Sequence, residues 1–98
     1  MRVKAQFCLN VSAVYLKVGD YTRANVYCNL ALVVDPTYMR AYLRKCEVLE
    51  ECKEFASVVL VGTQLQDLKT LQRNWASEDE EVYELIMQAI HNAEKMLG

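Results

Sequence analysis

The chain has 98 residues, 53% hydrophobic and 24% charged, with three Gly and one Pro. That is one small domain with a single modest core, and so few turn-formers argue for helices over a turn-rich all-β fold. The net charge is −2, no run of 18 apolar residues exists to span a bilayer, and no apolar stretch near the start reads as a secretory signal.

Residues 2–17 place apolar side chains at 3, 7, 11, 14 and 15, which is helical spacing. Gly19-Asp20 stops this helix: glycine suits a left-handed C-terminal residue, and Asp20 can cap the next helix. Residues 22–34 repeat the pattern at 24, 27, 28, 31, 32 and 34. Asp35-Pro36 ends that second helix, since proline disfavours helix at the residue before it. Thr37 is expected to cap a third helix reaching about Glu51. Cys52-Lys53-Glu54 reads as a turn, and a fourth helix is expected from Glu54 to about Leu68 or beyond, its helical context overriding the β-propensity of the Val58–Val61 run. Ser77-Glu78-Asp79-Glu80 has the form of a capping box, and a fifth helix continues from it with a stripe at 82, 86, 89/90, 93 and 97. Trp75 is expected to pack against it. All-α is the expected fold class.

Charge is uneven along the chain. Residues 1–45 carry seven Lys/Arg and two Asp, while residues 46–98 carry four Lys/Arg and eleven acids. A basic half suggests an acidic partner, although nothing resembles a groove-reading nucleic-acid motif. The acids at 78–81 have a structural explanation at the positive end of a helix. Cys8, Cys28, Cys46 and Cys52 form no CxxC pair, and His91 stands far from all of them. They read as reduced, cytosolic packing thiols, with no metal or cofactor expected. His91 and Glu94 read as a surface pair, no phosphate-cradling glycine loop exists, and no catalysis is expected.

Shifted by 34 residues the sequence partly overlays itself: Ala5 falls on Met39, Cys8 on Tyr42, Ser12 on Cys46 and Tyr21 on Phe55. Helix, short turn, helix and a closing proline at this period resemble the tetratricopeptide repeat. Counting from Ala5, Ser12 stands at the eighth place, Tyr15 at the eleventh and Gly19-Asp20-Tyr21 at the turn. Ala24, Ala31-Leu32 and Asp35-Pro36 come at their places. Cys8 departs from the large residue usual there, Val58 replaces the usual alanine in the second copy, and no proline closes that copy. The resemblance implies a first repeat over 1–36, a degenerate second over 37–70 and a capping helix over 77–97.

In such repeats the first helix of each pair lines a groove, which would hold Asn10, Arg40 and Arg44. The chain here is similar to heat-shock co-chaperone domains whose carboxylate clamp holds a chaperone's acidic C-terminal tail. Asn10, Arg40 and Arg44 match three clamp places, while a Lys and an Asn from a preceding repeat complete the family's site. Arg40 and Arg44 lie one helical turn apart, and arginine binds carboxylates in a bidentate fork. Lys17, Leu43 and Glu47 are the further candidate tail contacts. The competing reading is that Glu47 and nearby acids satisfy the arginines as surface pairs, with Tyr42 a core residue. The expected function is a non-enzymatic, cytoplasmic protein-binding module. The alternatives are a scaffold without a clamp, or the C-terminal part of an immunophilin-type prolyl isomerase. With no repeat before residues 2–17, some of Val3, Phe7, Val11 and Val14 should face solvent. The chain is then expected to self-associate through 2–17 or to end a longer protein.

Overall fold

The computed structural model describes the backbone of residues 2–71 and 77–98, and the side chains of 2–68 and 77–98. Five helices cover most of it: α1 Arg2–Val18, α2 Tyr21–Val34, α3 Met39–Glu51, α4 Phe55–Leu71 and α5 Ser77–Leu97. Among the described residues there is no strand, and no helix is long and apolar enough to cross a membrane. Trp75 lies outside the described residues. So does the position before Ser77, which is itself the first helical residue of α5.

α1 and α2 pack as a close antiparallel pair because their shared face is small. Ala5, Ser12, Ala24, Cys28 and Ala31 are all fully buried. The Ser12 hydroxyl donates to the Ala24 carbonyl at 2.8 Å and lies 3.2 Å from the Cys28 sulfur. α3 then packs on α2 and touches α1, while α4 and α5 pack on α3 and on each other. The core has two parts that meet at α3. Ala41 and Val48 join the α1–α2 side. Met39, Tyr42, Cys46 and Leu49 join Val58, Val61, Leu65, Val82, Ile86 and Ile90 on the other. In α5 the expected stripe holds at 82, 86, 90 and 93, but Leu97 is exposed at the fraying end of the helix.

The loop after α2 is organised by Asp35, not by Thr37 as a helix cap. The Asp35 carboxylate accepts from the Thr37 amide at 3.1 Å, the Thr37 hydroxyl at 2.7 Å and Arg2 Nε at 2.6 Å. Burial alone would raise this carboxyl. The bonds from Thr37 and Arg2 outweigh that, and its pKa lies below the ordinary aspartate value. Thr37 commits its hydroxyl to this turn, so α3 begins after Tyr38 with no side-chain cap. Arg2 also sits over the Tyr38 ring, 4.6 Å from its centroid.

The turns after α1 and α3 share one hydrogen-bond pattern. After α1, Gly19 N–H donates to Leu16 O and Asp20 N–H to Tyr15 O. After α3, Lys53 N–H donates to Glu50 O and Glu54 N–H to Leu49 O. Each donor and acceptor in the second turn stands 34 residues after its counterpart. Gly19 and Lys53 are both left-handed, at φ 83° and 61°. Glycine takes that conformation freely, whereas the Cβ of lysine is crowded there. Lys53→Gly should therefore stabilise the fold by about 0.5–1 kcal/mol, and Gly19→Ala should destabilise it by about as much. Nothing lies within 4 Å of a Cβ at Gly19, so the cost there is backbone strain and not a clash. Urea denaturation of the two variants checks both signs.

Candidate functional site

Arg40 and Arg44 fall on one face of α3, as their spacing requires. Both already meet acids. Arg40 Nε and Nη2 donate to Glu78 Oε1 at 3.3 and 3.0 Å, joining α3 to the first turn of α5. Arg44 Nε lies 3.9 Å from Glu47 Oε2. These are solvent-facing pairs of modest worth. One guanidinium nitrogen differs: Arg44 Nη1 is buried and has no hydrogen-bond partner. A buried donor left unpaired is costly.

Asn10 is exposed on α1, and among the described residues no hydrogen bond or ion pair links it to either arginine. Lys17 is exposed at the last turn of α1, Leu43 is half-buried against the core, and Glu47 is exposed beside Arg44. Tyr42 is a core residue. It is buried, and its hydroxyl donates to the Pro36 carbonyl at 2.9 Å, with burial raising its pKa.

Four of the seven basic residues of the first half meet acids of this chain. Arg2 pairs with Asp35 and Arg23 with Asp20, alongside the two α3 pairs. Lys4, Lys17 and Lys45, the other three basic residues of this half, make no ion pair among the described residues. His91 and Glu94 are both exposed on the outer face of α5, and they make no ion pair with each other among the described residues.

A feature missed in the sequence is an acidic cleft of about 360 Å³ between the C-terminal ends of α1 and α3, lined by Leu16, Tyr21, Glu47, Glu50 and Glu51. Burial, then the Glu47 and Glu51 charges, hold the Glu50 carboxyl above its ordinary value. The i, i+3, i+4 spacing of the three glutamates was the available signal. The apolar face expected to meet solvent on α1 does so. Val3, Phe7, Val14 and Val18 are 78, 67, 61 and 72% exposed, and Val11 is half-buried. The most apolar stripe of α1 points outward, while Ala5, Leu9 and Ser12 face the core.

Cys28 and Cys46 are buried packing thiols, and the exposed Cys52 departs from the expectation that all four would be. Burial raises Cys28 against the bond to Ser12, and burial followed by the Glu50 charge pushes Cys46 up to about 12. Cys8 is half-buried, not sealed, and Cys52 is exposed. Among the described residues no His, Cys, Asp and Glu converge to hold a metal ion. No protein-family model, curated protein or solved structure matches this chain. Labelling with a maleimide at neutral pH should modify Cys52 first and Cys8 next. Cys28 and Cys46 should react only as the chain unfolds, which mass spectrometry of timed digests checks.

Proposed function

We propose that this chain is a tetratricopeptide-type protein-binding module, with the α1–α3 face receiving an acidic C-terminal tail of a heat-shock chaperone. The recurrence of one turn geometry at 34 residues supports the repeat reading. The observation that carries the site is the Arg44 guanidinium, with Nη1 buried and unpaired and its one acid only 3.9 Å away. Turning the partly exposed Arg44 side chain outward would give this nitrogen a ligand carboxylate and a charge-assisted bond. Asn10 and Arg40 would add an amide donor and a second guanidinium. The Glu47-Glu50-Glu51 cleft favours a tail that runs from Arg44 toward Arg40, where it would displace Glu78. The module would work in the cytoplasm, without cofactor or catalysis.

Titration with a peptide ending Glu-Glu-Val-Asp, followed by calorimetry or fluorescence anisotropy, should give a Kd on the order of 100 µM. Amidating its terminal carboxylate or changing Arg44→Ala should abolish binding. Glu78→Gln releases Arg40 from an exposed pair worth about 0.2–1 kcal/mol, so it should tighten binding by up to about fivefold. Equal affinity for free and amidated peptides would eliminate the clamp and leave the scaffold reading, which the two existing ion pairs on α3 favour.

The outward stripe on α1 supports a separate proposal, that two copies associate through residues 2–17. Apolar patches of this kind are uncommon on monomers. Sedimentation equilibrium should show concentration-dependent dimerisation that Phe7→Glu reduces. A monomer at high micromolar concentration would refute it.

A further inference from the structure

α2 and α4 both pack on α3 but not on each other among the described residues. Between them runs a channel made of two clefts, of about 230 and 420 Å³, that share Lys45 and Gln64. α2 contributes Asn25 and Val33 to its walls, α3 contributes Leu49 to its lining, and α4 contributes Leu60. At about 100° per residue, Tyr42, Lys45 and Leu49 occupy an arc of α3 opposite Arg40, Arg44 and Glu47. The channel is therefore separate from the α1–α3 face and independent of the function proposed for it.

We infer that this channel docks a short amphipathic helix of another protein, apolar along one stripe and carrying an acid at its centre. Size is the first argument. From Asn25 to Val33 the α2 wall is nine residues long, and from Ser57 to Gln64 the α4 wall is eight, or roughly 10–12 Å at about 1.5 Å rise between residues. That is the span of two helical turns, enough for anchors at i, i+3 or i+4, and i+7. Chemistry is the second. Val33 and Leu60 are 77% and 63% exposed, so apolar surface is available to be covered.

Charge is the third argument, and it chooses the partner. Among the described residues Lys45 is the one charged side chain lining either cleft, it lines both, and it makes no ion pair. It is half-buried, where an opposing carboxylate is less screened than at the open surface. Asn25 Oδ1, at the end of the channel, is buried with nothing donating to it. A second copy of this chain does not meet these demands. Its outward apolar stripes lie on α1 and on α2 (Val26, Leu30, Val33), whose charged residues Arg2, Lys4, Lys17 and Arg23 share the sign of Lys45. On acidic α5 the exposed Leu85 and Met96 are too far apart to share two turns.

The test uses the whole chain and a phage-displayed library of random peptides about 16 residues long, ample for a two-turn channel. Selected peptides should carry apolar residues at helical spacing around an Asp or Glu. Their affinity, measured by fluorescence anisotropy, should fall about tenfold or more on Lys45→Glu, Leu60→Glu or Val33→Glu. It should be unchanged by Arg44→Ala. Leu60 and Val33 are exposed, so those two variants should keep the wild-type circular dichroism spectrum. Exchanging the peptide's acid for lysine should restore binding to Lys45→Glu and weaken it to the wild type. Selection of no peptide sensitive to these three substitutions would overturn the inference. So would peptides that bind Lys45→Glu as well as wild type, or a wild-type dimer that Leu60→Glu dissociates.

Discussion

The distance between α1 and α2 governs the rest of the structure. Alanine, serine and cysteine along the shared face let the two backbones approach closely. The buried Ser12 hydroxyl is tolerable there only because the Ala24 carbonyl accepts from it. A large residue at any of these places would separate the helices and unseat α3, which rests on them. The close approach also has a consequence at the surface. Because the small residues face inward, Val3, Phe7, Val14 and Val18 of α1 face out.

α3 is the element on which both halves of the core converge, and its two polar faces have different roles. One carries Arg40, Arg44 and Glu47, in a setting of like and unlike charges that includes Glu78 from α5. The other carries Lys45 above an apolar floor. The Arg40–Glu78 pair ties α5 to α3 across the segment that separates α4 from α5 in sequence. A ligand for Arg40 would have to replace that carboxylate with a better one. The energetic margin is narrow because exposed pairs of this kind are worth little. Arg44 offers more, since its buried Nη1 has no acceptor to give up.

Lys53 shows that a helix-ending turn can keep its geometry without glycine. Its turn keeps the same hydrogen bonds as the turn at Gly19, because the helices on either side demand the same left-handed residue between them. Packing supplies what glycine would have contributed locally. The resulting strain is small enough for a fold of this size to carry.

The five helices and the two short turns were legible in the sequence, because apolar periodicity, Gly19 and Pro36 are local signals that act within a few residues. Arg40 and Arg44 were legible as a pair for the same reason: i, i+4 spacing alone places them on one face. Other features required the tertiary structure. The stripe at 3, 7, 14 and 18 marks α1 as a helix, yet only the packing of Ala5 and Ser12 against Ala24 and Cys28 decides that this stripe points away from the core. Arg40 meets Glu78 across 38 residues, and Arg2 draws Asp35 into the loop before α3 across 33. No local pattern encodes such pairs, because the partners become neighbours only after the helices have docked. The helical periods follow from each segment's own side chains, whereas the choice of buried face, the ion pairs and the Lys45 channel follow from which helices meet.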